Sequence, residues 1–199
     1  MTEIKNVIFD LGGVVFARDP KKCTPEFLEF FSYVMYDPMP KWWSEYDRGA
    51  ISFDEVKAEL AEYRGVSREF CDDYVALSIV KQEEIEATKK LICKLKSKGY
   101  RLYVLSNMAH EYIDYIRTFE VYRYFDGEVV SCEEGCVKPE EKIYQTILER
   151  YDLDPSQTLF IDDRVANIEA AKEVGISSFL FDHSSPADSC VELEKMLLP

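Results

Sequence analysis

Asp10 closes the apolar run Val7-Ile8-Phe9 and is followed at once by Leu11-Gly12-Gly13. A carboxylate buried at a strand end needs a partner or a metal. Paired glycines let the backbone bend tightly and let a ligand come close. A carboxylate that caps a turn would use the same residues. Three later segments add to it: Leu105-Ser106-Asn107, Lys138-Pro139, and Phe160-Ile161-Asp162-Asp163 with Asn167. Two of them put polar groups at or just past an apolar run, and Lys138-Pro139 is placed at a helix start. Singly, each has an ordinary explanation: a strand-end cap, a surface dipeptide, a helix N-cap. It is their joint order that points to a site.

The elements that must position these groups are legible in the same pattern. Short apolar runs at Val7–Phe9, Leu102–Leu105, Val129–Val130, Leu159–Ile161 and Phe179–Phe181 alternate with helical segments. In residues 140–151, Ile143, Tyr144, Ile147, Leu148 and Tyr151 recur on one helical face. Gly99 and Gly175 stand where left-handed residues end helices. Strands alternating with helices predict an α/β fold, a Rossmann-like parallel sheet with crossover helices. Ligands of such sheets bind at the carboxyl ends of the strands. Asp10, Ser106 and Asp162 share that end, so distant residues can converge on one crevice.

Residues 17–87 have a different texture, without strand-like runs. Thr24-Pro25 is a helix cap followed by proline at the first helical position. Phe27, Phe30, Phe31, Val34 and Met35 then line one helical face, which Asp37-Pro38-Met39-Pro40 breaks. Ser52-Phe53-Asp54-Glu55 is a capping box opening a second helix, and Ser67 can start a third. The reading is an all-helical insertion, 17–87, within an α/β core formed by 1–16 and 88–199. Such modules over an α/β site often act as lids.

Composition narrows the function classes. The 199 residues suffice for one domain with an insertion, and 47% are hydrophobic, enough for a sizeable core. A net charge of −14 argues against nucleic acid. No basic amphipathic stretch suits an anionic membrane, and no apolar run approaches the roughly 20 residues of a spanning helix. The N-terminus lacks a signal-peptide core, so a cytoplasmic location is expected. Six scattered cysteines, with no Cys-x-x-Cys, read as reduced and mostly buried thiols.

The four motifs, in this order and with this insertion, resemble the haloacid dehalogenase (HAD) superfamily of phosphotransferases, and the resemblance covers the whole chain. The insertion resembles that superfamily's C1 cap. Phe9-Asp10-Leu11-Gly12-Gly13-Val14-Val15 with Asp162-Asp163-x3-Asn167 looks most like bacterial phosphatases of the glucose-1-phosphate type, relatives of the phosphatase half of soluble epoxide hydrolases. The resemblance implies a magnesium-dependent phosphomonoesterase acting on small phosphorylated metabolites, sugar phosphates foremost. Asp10 would be the nucleophile, forming an aspartyl-phosphate. Asp10, Asp163 and the Gly12 carbonyl would hold Mg2+. Ser106 and the Asn107 backbone N–H would bind phosphoryl oxygens. Lys138 would balance the charge of Asp10 and phosphate, with Pro139 starting its helix. Asp162 would orient the site, and Asn167 would fix the acidic loop.

One position departs from the superfamily pattern. Many members carry Asp-x-Asp at the first motif, the second Asp serving as general acid and base; here it is Gly12. The proton-transfer step is therefore vacant or transferred, and such help is worth roughly 10²–10⁴-fold. Asp19, His110, Glu45 and Asp47 are the substitutes the sequence offers. Trp42, Trp43 and Tyr46 either stack on a substrate or bury the cap, and Arg48 could reach a substrate oxygen. Rival readings are a haloacid dehalogenase, which needs no metal and has no use for Asp162-Asp163, and a phosphate-binding protein that kept the fold. Phosphoglucomutase-type transfer is disfavoured by Gly12. Oligomeric state is silent.

Overall fold

The computed structural model describes residues 3–36 and 38–198. Its centre is strand β1 (Asn6–Phe9), buried along its whole length. β4 (Arg101–Ser106) pairs with one edge of it in parallel, and β6 (Thr158–Asp162) with the other. β5 (Gly127–Val130) and β7 (Ser177–Leu180) complete a five-stranded sheet of order β5-β4-β1-β6-β7, parallel throughout.

Alternation along the strands builds a core on each face. Val7, Phe9, Leu102, Val104, Leu159 and Ile161 point to one face. There they meet α5 (Glu86–Ser97), α6 (His110–Ile116) and α10 (Pro186–Leu197). Ile8, Tyr103, Leu105 and Phe160 point to the other. They pack on α8 (Glu141–Arg150) and α9 (Val165–Glu173), with Ile143, Tyr144 and Ile147 supplying the predicted apolar face of α8. A short helix, α7 (Ser131–Glu134), follows β5. Gly99 and Gly175 adopt the expected left-handed conformation, at φ of 88° and 85°.

Between β1 and α5 the chain leaves and re-enters through a structure the sequence reading missed. β2 (Phe16–Arg18) and β3 (Gln82–Glu84) form a two-stranded antiparallel ribbon. Each strand has only three residues, and β3 is polar throughout, so there is too little alternation to signal a strand. Beyond the ribbon lie α1 (Pro25–Phe30), α2 (Lys41–Asp47), α3 (Phe53–Arg64) and α4 (Arg68–Val80). Thr24 and Ser67 cap α1 and α4, and Ser52 with Glu55 makes the full capping box on α3.

α1 is shorter than its apolar spacing predicts. It ends at Phe30, and Ser32–Met35 form a 3-10 turn. The tighter winding turns Tyr33 fully inward, against Phe31 and both tryptophans, and leaves Met35 59% exposed. Packing of the aromatic cluster therefore decides the end of α1 before the prolines are reached. Asp37, the first residue of the expected breaker, lies outside the described residues.

Candidate active site

Strand order alone assembles the site. β4, β1 and β6 are neighbours, so Ser106, Asp10 and Asp162 come together at one sheet edge. The Asp10 backbone N–H still donates to the Ile161 carbonyl at 2.9 Å, which fixes the carboxylate's starting point. Asp10 Oδ1 then receives Ser106 Oγ–H and faces Lys138 Nζ, each at 2.9 Å.

Lys138 is 4% exposed and has three acceptors: Asp10, Asp162 Oδ2 at 2.6 Å and the Leu105 carbonyl at 2.9 Å. Contrary to the expectation from sequence, it does not begin a helix. α8 starts at Glu141 with Glu140 as its cap, leaving Lys138-Pro139 in the preceding turn. What holds that turn is the Asn107 side chain. Its Oδ1 accepts the Lys138 N–H at 2.7 Å, and its Nδ2 donates to the Lys138 carbonyl at 2.9 Å.

Asp162 is fully buried and its oxygens are occupied. They accept from Lys138 Nζ, from Asn167 Nδ2 at 3.0 and 3.1 Å, and from the Arg164 N–H at 2.8 Å. Asp163 turns the other way, toward the turn after β1. A Cβ on Gly13, whose φ is 77°, would lie 2.5 Å from Asp163 Oδ2. Only glycine permits both that backbone conformation and that approach.

Carboxylate oxygens of Asp10, Asp162 and Asp163 lie within 4.8 Å of one another. Burial, with Asp162 and Asp163 adding to it against Lys138, pushes Asp10 up to about 6. Burial, with Asp162 adding to it against Arg164 and Lys138, pushes Asp163 up to about 6 as well. Burial works against the charge on Lys138, but Asp10 and Asp162 outweigh it and hold the ammonium above its ordinary range. Three carboxylates around one ammonium leave negative charge to neutralise. The donor set is oxygen only, which suits a hard divalent cation. Both oxygens of Asp162 already accept hydrogen bonds, whereas on Asp10 the Ser106 and Lys138 contacts fall on Oδ1 alone.

The group opens into a cleft of about 1070 Å³ roofed by α1, α2 and the segment between them. Gly12 lies at its floor, with no atom within 4 Å of where a Cβ would be. Of the four possible substitutes for the missing acid, Asp47 is the buried one that lines the cleft. Burial holds it well above the ordinary carboxylate range; Asp10 adds to this, while Arg164, the Ala109 N–H and Lys138 oppose it. Asp19 lines the cleft too, but caps the turn at Pro20–Lys22 by accepting the Lys21 N–H. His110 is exposed and sits 3.5 Å from Cys132 Sγ, and Glu45 pairs with Arg48 at 3.8 Å. Neither lines the cleft.

Arg48 is also turned away from it: the guanidinium donates to Glu140 at 3.0 Å and to the Gly135 carbonyl at 3.2 Å. Trp43 lines the cleft, whereas Trp42 packs on Tyr33 and Tyr63. Tyr46 donates to Glu111 at 2.5 Å. Two residues went unnoticed in sequence. His183 Nδ1 is 3.4 Å from Asp163 Oδ2, and Arg164 reaches the Val34 carbonyl of the cap. The signals were there: His183 is one of two histidines and follows the last apolar run, and Arg164 directly follows the acidic pair.

Comparison with known proteins agrees with this geometry. Residues 4–175 match the family described as haloacid dehalogenase-like hydrolase. A sesquiterpene phosphatase of Aspergillus oryzae is 26% identical over 198 residues, 98% of each chain. A D-ribitol-5-phosphate phosphatase of Bacteroides thetaiotaomicron is 26% identical over 194 residues, 88% of this chain and 91% of that one. A HAD family enzyme of the same bacterium, in complex with magnesium and inorganic phosphate, superposes with a TM-score of 0.68. It is 27% identical, covering 90% of this chain and 95% of that chain. The chain belongs to the haloacid dehalogenase-like hydrolases.

Proposed function

We propose that the protein is a magnesium-dependent phosphomonoesterase of small phosphorylated metabolites, working through an aspartyl-phosphate on Asp10. The observation that carries this reading is the Asp10 carboxylate, held by Ser106 and Lys138 beside Asp163 at the floor of a deep cleft. In this reading residues 1–16 and 88–199 are the catalytic core, and 17–87 its cap. Magnesium, held by Asp10, Asp163 and the Gly12 carbonyl, supplies the positive charge that lets an anion approach a phosphoryl group.

Asp10 attacks phosphorus, and the bond from phosphorus to the alcohol oxygen breaks. Lys138 balances the charge of Asp10 and the transferring group; Ser106 and the Asn107 N–H bind its oxygens. Asp162 and Asn167 hold Lys138 and the acidic loop in place. Asp47, whose burial favours its protonated form, gives its proton to the departing oxygen. Its carboxylate then takes a proton from the water that attacks the aspartyl-phosphate, and phosphate leaves.

Asp163 weighs against the dehalogenase alternative, which has no use for a second metal-binding carboxylate. Six free cysteines suit the reducing cytoplasm the sequence reading expected. Among the described residues no helix is long and apolar enough to cross a membrane. The relatives do not choose the alcohol: one is a phosphatase of a polyol phosphate, in keeping with the sugar-phosphate expectation, and one is a sesquiterpene phosphatase.

The reading is tested by phosphate release from p-nitrophenyl phosphate, with and without magnesium, beside an Asp10→Asn control. Magnesium-dependent release lost in the variant is expected. Release that persists in Asp10→Asn removes the nucleophile from Asp10.

A further inference from the structure

The cleft that begins at Asp10 is larger than a phosphate and a short polyol require. At about 1070 Å³ it is just above the roughly 300–1,000 Å³ of ordinary small-molecule pockets. Its far wall is the cap, and there Phe27, Phe31, Val34, Met35, Met39 and Trp43 face the space. Among the described residues, the cap helices and the segment joining them contribute only Ser44 and Asp47 as polar groups.

On the ribbon side of the cleft, four of the five polar residues are already engaged, and Gln82 is the fifth. Glu84 pairs with Lys89 at 2.7 Å and Glu83 with Lys22 at 2.6 Å. Arg18 donates to the Ser78 carbonyl at 3.4 Å, with its guanidinium 5.0 Å from the Phe31 ring centroid. Asp19 caps its own turn. A sugar or polyol buried against this wall would leave hydroxyls without partners, which is costly. A hydrocarbon chain would meet mostly carbon along the cap wall.

We infer that the alcohol half of the substrate is a bulky apolar chain, an isoprenoid or long alkyl group, housed between the cap and the ribbon. This inference rests on the phosphatase reading for the location of the phosphate. It places chemistry and selectivity in different layers of the molecule: the sheet edge binds the phosphoryl group, and the cap wall binds what is esterified to it.

The test is calorimetric binding to the Asp10→Asn protein, with magnesium, of alkyl phosphates from ethyl to decyl and of D-ribitol 5-phosphate. Affinity is expected to rise about fourfold per methylene, the equivalent of roughly 0.8 kcal/mol for each buried CH2. Decyl phosphate should bind well over tenfold more tightly than the polyol phosphate. Met39→Asp, which puts a charge on the wall, should flatten the series; its folding is checked by thermal melting. An affinity independent of chain length in Asp10→Asn, or tighter binding of the polyol phosphate, overturns the inference. Release of phosphate from p-nitrophenyl phosphate by the wild-type protein is scored separately. Its absence sinks the phosphatase reading, while the chain-length series still judges the apolar wall.

Discussion

The side-chain amide of Asn107 spans the Lys138 residue from its N–H to its carbonyl, at 2.7 and 2.9 Å. One amide thus sets the backbone from which the Lys138 ammonium reaches Asp10. Asn107→Ala removes both bonds without touching the ammonium itself. Misplacement by about 1 Å can cost 10²-fold in rate, so kcat is expected to fall about 10- to 100-fold. Rates with wild-type kcat would show that the lysine is held by Asp10 and Asp162 alone.

The acidic cluster gives a pH dependence with a defined sign. Asp10 and Asp163 have folded-state pKa values of about 6, above the ordinary carboxylate value of 3.8. The metal-free native state therefore binds protons that the unfolded chain has released. Its stability from this pair is full below about pH 4 and is lost as pH rises through 6. Magnesium should reverse the loss, because it binds the ionised carboxylates. Thermal melts should show a magnesium-induced rise in Tm that is large at pH 7.5 and small at pH 5. An increment equal at both values would place the ion elsewhere.

Asp163→Ala separates metal binding from the fold. The variant keeps Asp162 and its bonds to Lys138 and Asn167. The magnesium concentration for half-maximal rate should rise at least tenfold, in line with the loss of one of two carboxylate ligands. An unchanged titration would assign the ligand to a different residue.

Proton transfer can be moved between two positions. Asp47→Asn should slow release of poorly activated alkyl alcohols by about 10²-fold or more, the scale of general acid help. It should spare p-nitrophenyl phosphate, whose leaving group needs little protonation. Nothing lies within 4 Å of a Cβ built on Gly12. Gly12→Asp should therefore be accommodated, and in the Asp47→Asn background should restore part of the rate. Equal losses on both substrates in Asp47→Asn would give Asp47 a purely structural place at the Ala109 N–H.

Away from the site, Ser52 makes both reciprocal bonds of its capping box with Glu55. Ser52→Ala is expected to cost about 1 kcal/mol. That corresponds to a Tm decrease of roughly 2–4 °C for a chain of this size, with turnover unchanged. Calorimetry checks the first and a rate assay the second.

What was legible in the sequence is what burial dictates. Central strands of a parallel sheet are covered on both faces, so they stand out as apolar runs, and the polar residues that end them stand out too. Asp10, Ser106 and Asp162 were visible for that reason. The β2–β3 ribbon was not, because its three-residue strands carry no hydrophobic pattern. Nor could spacing tell that Tyr33 turns inward, since crowded aromatic rings, rather than helix periodicity, set that turn. Among Glu45, Asp47 and Arg48, close in sequence, the direction of the last turn of α2 decides which one lines the cleft. The places of Arg164 and His183 depend on contacts between distant segments.

The central place of β1 has a kinetic consequence. Its two neighbours come from far along the chain: Ser106 is 96 residues from Asp10, and Thr158 is 152 residues from Asn6. Asp10 therefore lacks its neighbours until segments about 100 and 150 residues further along the chain have docked beside it. Pairings of such long range form slowly. During refolding, recovery of turnover should lag behind recovery of helical signal, so that catalysis itself serves as the clock for closure of the sheet.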